Sequence, residues 1–288
     1  MSAATPLPAT GLQRLLGFTV TCADPESVAT DYLRHLGWHR LRSGQISADL
    51  ARRWSAPATC GRRYVEVAAS PHDGEKTFLR FVEQAPIEGL ALLGHGWNAI
   101  EVLCEDPYSL AQSLSGSPFR VVIPPRPLPF DPDLHAMQVI GPGGELLYFT
   151  SLPRHKTLFD LRPADRRVDQ PFIAILGGPT LADMLQWYRD SLSTPTLASS
   201  QTYIKIINDT FGLPAGESVP LGIVKLPRDF LIEVDEHPRN SRTRPRRAGE
   251  LPPGIAIVTA SAVLPSMRSA QEIHVGAAGE WLEVLAPN

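Results

Sequence analysis

The sequence predicts an α+β protein in which four βαβββ units pair into two tandem domains. Three observations carry that reading. A closing motif occurs twice, as G-P-G-G-E-L-L-Y-F-T-S-L at Gly141–Leu152 and as G-A-A-G-E-W-L-E-V-L-A at Gly276–Ala286. In both, small turn residues release into an apolar strand that opens on a glutamate, Glu145 or Glu280. An Asp-Pro pair follows a buried-type strand at Asp24-Pro25 and again at Asp106-Pro107, an N-cap and first-turn proline that start a helix. The halves also align without a gap: F-L-R-F-V-E-Q-A-P (Phe78–Pro86) lies on F-L-I-E-V-D-E-H-P (Phe230–Pro238), and Gln138–Tyr148 lies on Ile273–Glu283.

Taken in order, Leu15–Cys22 reads as a buried strand and Glu26–Leu36 as a helix with Val28, Tyr32, Leu33 and Leu36 at helical spacing. Gly37 ends that helix. Strand Trp38–Arg42, helix Ile46–Trp54 and strands Tyr64–Ala69 and Thr77–Glu83 complete the first unit. The second unit has strand Trp97–Leu103, helix Tyr108–Leu114, and strands Phe119–Ile123, Ala136–Ile140 and Glu145–Ser151, with a proline-rich crossing at Pro124–Pro132. A charged connector at 153–170 marks the expected boundary between a first domain at 15–152 and a second at 171–288, after a leader at 1–14. The third unit reads as strand Phe172–Leu176, helices Leu181–Leu192 and Thr202–Phe211, and strands Leu221–Lys225 and Phe230–Asp235. The fourth keeps strands Ile255–Thr259, Glu272–Val275 and Trp281–Leu285 but has no convincing long helix.

A length of 288 residues suits two domains of about 150 each. Apolar content of 43% is enough for real cores, and a net charge of −3 weighs against nucleic acid as a partner. Cys22, Cys60 and Cys104 have no metal-type spacing, which favours free thiols in a reducing compartment. The start, M-S-A-A-T-P-L-P-A-T-G, lacks a basic stretch leading into an apolar core, and no apolar run approaches the roughly 20 residues of a membrane span. The expectation is a cytoplasmic protein that neither spans a membrane nor binds nucleic acid. No G-x-S-x-G, phosphate loop or dinucleotide fingerprint points to another class.

Four tandem βαβββ units, with V-T-C-A-D-P before a helix and G-P-G-G-E-L-L-Y at the close, resemble the vicinal oxygen chelate superfamily. That group includes glyoxalase I, fosfomycin and bleomycin resistance proteins, and extradiol dioxygenases. The resemblance runs from about Leu15 to Leu285. It implies paired units curled into open, cleft-forming mixed sheets, with metal-dependent members placing His, Gln or Glu on four inner strands. Carried over, those positions fall near Gly17, Phe81, Ala99 and Tyr148 in the first domain, none of which suits a divalent ion. In the second domain they fall on Glu233 and Glu283, with Ile173 and Ile255 at the other two. No imidazole is supplied. The cofactor expectation is therefore none, or a weakly held Mg²⁺ or Mn²⁺ on Glu233 and Glu283.

Glu233 and Glu283 are thus the catalytic candidates, as general acid and base or as weak metal ligands. The competing reading points one or both to solvent, because a slip of one residue reverses a strand's faces. Arg80, Phe81, Ala99, Glu101 and Tyr148 are the substrate-binding candidates, able to orient a carbonyl or carboxylate, with Arg80 also readable as a surface arginine. Trp54 and Trp97 fit a pocket or simply core. The run R-N-S-R-T-R-P-R-R at Arg239–Arg247 reads as a lid recruiting an anion or as a solvated loop. His237 and His274 lie near the carboxylates, and no task falls to His35, His39, His72, His95, His135 or His155. The functional expectation is a lyase, isomerase or hydrolase acting beside a carbonyl of a fairly apolar metabolite. Extradiol dioxygenase chemistry is disfavoured by the missing histidines. The rival is a non-catalytic binding protein of the bleomycin-resistance type, and a third reading keeps the first domain as scaffold for the second or as a dimer interface.

Overall fold

The first unit comprises β1 (Gly11–Cys22), α1 (Pro25–Asp31), β2 (His39–Gln45), α2 (Ala48–Arg53), β3 (Arg63–Ala68) and β4 (Phe78–Glu83). The second comprises β5 (Gly96–Cys104), α3 (Pro107–Ser113), β6 (Arg120–Leu128), β7 (Asp131–Ile140) and β8 (Leu146–Ser151). The third comprises β9 (Val168–Gly178), α4 (Leu181–Leu192), β10 (Thr196–Thr202), α5 (Lys205–Phe211), β11 (Val219–Lys225) and β12 (Leu231–Glu236). The fourth has β13 (Ile255–Val263), β14 (Gln271–Val275) and β15 (Trp281–Leu285). The computed structural model describes residues 10–72, 77–154, 161–227, 229–264 and 271–287. Most of the leader, His155 and residues 265–270 of the fourth unit lie outside the described residues. No helix among the described residues is long and apolar enough to cross a membrane.

The helix starts follow the sequence chemistry. Asp24 accepts from the Glu26 N–H at 3.1 Å, and Asp106 accepts from the N–H groups of Tyr108 and Ser109 at 2.9 and 3.3 Å, each with proline in the first turn. The first helix does not run regularly to Leu36. It widens into a π turn over Tyr32–Leu36, which Gly37 closes in the left-handed conformation. The proline-rich crossing is also different from expectation: β6 and β7 carry the prolines as a long, twisted hairpin arm with three register shifts. Strand β10 adds to the expected elements, and β9 starts at Val168, inside the expected connector.

The sheets join units across the two halves of the chain. One sheet runs β14-β15-β13-β1-β4-β3-β2 and so unites the first and fourth units; the other runs β10-β11-β12-β9-β5-β8-β7-β6 and unites the second and third. Each seam is an antiparallel pair of unit-opening strands, with Phe18 opposite Val258 in β1/β13 and Ile100 opposite Ala174 in β5/β9. We call these the outer-unit sheet and the inner-unit sheet.

One face of each sheet shares a single core with the helices. Val20, Phe81, Val258 and Leu282 from the outer-unit sheet join Ile100, Leu147, Leu176 and Val234 from the inner-unit sheet, along with Val28, Leu110 and Met184 from α1, α3 and α4. The opposite faces carry two separate apolar clusters. Those faces are where ligands could enter.

Candidate active site

The free face of the outer-unit sheet is filled by the chain itself. Trp54, just after α2, packs with Ile46, Ala51 and Ala56 against Val82, Ile257 and Trp281. The Phe78 ring covers Gly17 so closely that a Cβ there would lie 2.4 Å from it. Glu283 is buried beneath this cover and fully engaged. It accepts from Trp54 Nε1 at 2.6 Å, from Thr259 Oγ1 at 2.7 Å and from Gln271 Nε2. Arg80 Nε donates to Glu66 Oε1 at 2.7 Å, and its guanidinium sits 5.3 Å from the Trp54 ring. Arg42 Nε reaches the other Glu66 oxygen at 2.5 Å. Arg80 is thus no surface arginine. It closes a cleft that has become core.

Register corrects the place of Phe81. Arg80 stands opposite Thr19 and Phe81 opposite Val20. Side chains alternate along a strand, so Phe81 points to the shared core, where its ring lies 5.0 Å from that of Tyr32. By the same pairing, Glu233 stands opposite Ile175 as Arg80 does opposite Thr19. The gapless alignment of the halves is therefore one residue out at this strand, and Arg80, not Phe81, is the counterpart of Glu233.

The structure separates Glu233 from Glu283. Glu233 is on β12 in the inner-unit sheet and Glu283 on β15 in the outer-unit sheet. They share neither a cleft nor an ion. What Glu233 meets instead is Glu101, from the second unit. In the inner-unit sheet Tyr148, Glu101, Ile173 and Leu231 form one row across β8, β5, β9 and β12. The next row holds Leu146, Ala99, Ile175 and Glu233. This face stays open as a cavity of about 390 Å³, with Glu101, Glu233, Tyr148 and Gln138 as its polar floor. Phe172, Ile173, Ile204 and Leu231 are among the walls, and Arg126 stands at the rim over the Tyr203 ring at 5.7 Å. Of the expected site residues, then, Glu101, Ala99, Tyr148 and Glu233 come together, and Arg80, Phe81 and Glu283 lie elsewhere.

A carboxyl group missed in the sequence completes the floor electrostatics. Asp235 lies two residues beyond Glu233 on the same face and is buried. The alternation in L-I-E-V-D-E was the available signal. Burial raises all three acids. Glu101 rises to about 7, restrained by the Thr150 hydroxyl beside it. Asp235 rises to about 8, with Glu101 adding repulsion. Glu233 is pushed well above the usual carboxylate range by burial, then by Asp235 and Glu101. No cation contributes to any of the three. Tyr148, buried beside these acids, is held well above its ordinary value and so keeps its hydroxyl hydrogen. Gln138 Oε1 and Asp235 Oδ1 are buried acceptors without a partner among the described residues.

This donor set does not suit the metal that the resemblance implies. Among the described residues no three His, Cys, Asp or Glu side chains group to hold an ion, and the floor offers no imidazole. His237 is buried on another part of the inner-unit sheet, against Gly177, where a Cβ would fall 2.2 Å from its ring. His274 lies half-buried on edge strand β14, 3.6 Å from Glu272.

No family model matches the chain, and no curated protein sequence matches it. Solved structures do. A point mutant of glyoxalase I from Zea mays is similar at TM-score 0.65 and 10% identity, over 95% of this chain and 93% of that one. Glyoxalase I from the same organism gives 0.63 at 11% identity, over 95% and 92%. A protein of proposed dioxygenase function from Bacillus subtilis gives 0.62 at 10% identity, over 96% and 86%. Likeness at this level of identity speaks to fold. The chain has the tandem vicinal oxygen chelate fold, with three βαβββ-type units and a fourth of three strands among the described residues, arranged in two sheets, one cleft filled and one open.

Proposed function

We propose that the protein is a small-molecule enzyme that moves a proton beside the carbonyl of an apolar substrate, working in the open cleft of the inner-unit sheet. The observation that carries this reading is the pair Glu101 and Glu233. Both line an apolar cavity, Glu101 buried and Glu233 half-buried, without a basic partner among the described residues; Glu101 is raised to about 7 and Glu233 well above the usual carboxylate range. A base works best with a pKa near the operating pH, and a neutral carboxyl can donate a hydrogen bond. Glu101 is the acid that ionises at neutral pH and takes a proton from the carbon next to the carbonyl. The electron pair moves to the carbonyl oxygen, toward which Glu233 O–H donates. Tyr148 O–H is the second donor. Burial keeps Glu233 protonated, and the charge on ionised Glu101 adds to it. Return of the proton to another carbon gives isomerisation, and loss of a β-substituent gives elimination.

The test is exchange. Apolar ketones, aldehydes and thioesters are incubated with the protein in D₂O, and loss of the α-proton signal is followed by NMR. Exchange above the buffer rate, abolished by Glu101→Gln and strongly slowed by Glu233→Gln, is expected. Exchange that survives Glu101→Gln would sink the assignment.

A second reading rests on Gln138 Oε1, an unpartnered acceptor on the cavity floor beside Glu101 and Glu233. A floor rich in acceptors and acids also suits an apolar amine held without turnover. Saturable stabilisation by such amines, with no exchange from any carbonyl compound, would favour it.

A further inference from the structure

The arginine-rich run after β12 is mostly exposed but not free. It is a strap bonded to the body of the protein. Arg247 Nη1 donates to the Ala85 carbonyl at 2.9 Å, and Thr243 forms a parallel bridge with His95. Arg244 turns inward. Its Nη1 donates to the Trp97 carbonyl, and its Nη2 donates to the Leu92 carbonyl at 3.0 Å and to Asn98 Oδ1 at 2.9 Å. Every partner is a neutral oxygen. Nε is buried and has no partner among the described residues. A guanidinium carries five N–H donors, so two are left over here. Burial alone pulls this guanidinium down to about 10, and no acid offsets it.

Arg244 lines a cavity of about 490 Å³ that lies between the two sheets. Trp97 of β5 and Trp281 of β15 supply its aromatic walls, and Pro252, Ile255 and Val275 add apolar surface. Arg246 stands there too, 4.9 Å from the Trp281 ring, with no ion pair among the described residues. The other titratable groups do not neutralise this charge. His95 is bonded to Ser241 Oγ at 3.0 Å and is held below its usual value by burial and by Arg242. Glu280 borders the cavity, but its carboxyl folds into its own turn, where Oε2 accepts from the Ala278 N–H at 3.0 Å.

A largely desolvated cation without a counter-charge is costly, and an anion beside the guanidinium would supply that charge with a charge-assisted bond to the spare Nη1 hydrogen. We infer that the inter-sheet cavity is a second ligand site, for an anion (carboxylate or phosphate monoester) carrying an apolar or aromatic body, held by Arg244 and Arg246 against Trp97 and Trp281. It is separate from the acid-floored cleft and rests on different residues.

Calorimetric titration with phenyl phosphate and with naphthoate tests this, using benzamidine as the aromatic cation for comparison. Saturable binding of an aromatic anion at one site per chain, and a change in tryptophan fluorescence, are expected. Affinity should fall about 10-fold or more in Arg244→Lys, which loses the fork geometry, and several-fold in Arg246→Gln. Glu101→Gln, in the other cleft, should leave it unchanged. Arg246 is on the surface, so that variant stays informative if Arg244→Lys folds poorly. Binding of neither anion to folded wild-type protein, or equal anion affinity in wild type and Arg246→Gln, would overturn the proposal.

Discussion

The Tyr32 hydroxyl donates a hydrogen bond to Glu145, which ties the helical segment of the first unit to the turn that opens the last strand of the second. The other half places Tyr188 of α4 beside Glu280 in the same way, but without the hydrogen bond. This explains the motif written twice in the sequence. Its glutamate folds back into its own turn, and at Gly141 a Cβ would lie 2.0 Å from Glu145 Oε1, so any larger residue there would displace the buried carboxyl. The repeated glutamate is structural. Replacing Tyr32 by Phe should cost about 1–3 kcal/mol, because it leaves a buried acceptor unpaired. Urea unfolding of Tyr32→Phe, Glu145→Gln and the double variant should show a coupling of about 0.5–3 kcal/mol.

The filled cleft makes a second prediction. Glu283→Gln keeps the size of the side chain but replaces a carboxylate that three donors address, so stability should fall by about 1–3 kcal/mol. Ligand binding in the inner-unit cleft should not change. A Glu283→Gln protein that is fully stable but inactive would return Glu283 to the catalytic machinery.

Phe81 and Arg80 should respond in different ways to substitution. Phe81→Ala opens a cavity in the shared core and should cost about 3–5 kcal/mol. Phe81→Leu should be much milder. Arg80→Met removes one of the two arginines that hold buried Glu66 and leaves only Arg42, and mutating Glu66→Gln as well should recover part of the loss, as expected when an under-compensated buried charge is the penalty.

The pH dependence follows from the raised acids. Glu101, Asp235, Glu233, Glu145 and Glu280 all have folded-state values above their ordinary ones. For such groups the stabilising contribution is complete below the unfolded pKa and is lost as pH rises through the folded one. The unliganded protein should therefore lose melting temperature from about pH 4.5, the ordinary glutamate value, up to about pH 8, where Asp235 titrates. Glu233→Gln should flatten that loss and be more stable than wild type at the alkaline end. A melting temperature that climbs over this range would contradict the assigned burial of these groups.

Much of this fold could be read from residues. The Asp-Pro starts gave α1 and α3 within a residue or two, and the strands after each turn fell where apolar alternation put them. Which units pair could not be read, for a physical reason. All four unit-opening strands are nearly continuous apolar runs, so β1 could pair as readily with β5 as with β13. That ambiguity placed Glu233 with Glu283 instead of Glu101. The one-residue slip at Phe81 has a similar origin, since F-L-R-F-V-E packs side chains on both faces and gives no polar face to fix its register. Glu101 and Tyr148 were legible because each interrupts a buried strand with a polar group. Trp54 as a plug was not, because a helix that covers a sheet and one that lies on the surface share the same short pattern.

The central claim is that Glu101 and Glu233 face one apolar cavity and share its proton balance. Carbon-13 NMR of glutamate-labelled protein, assigned with Glu101→Gln and Glu233→Gln, measures it directly. The account predicts that the Glu101 carboxyl titrates near 7 and Glu233 well above the ordinary carboxylate range, and that Glu233 titrates lower once Glu101 is replaced. Two carboxyls titrating independently in the ordinary glutamate range, near about 4.3, would contradict it.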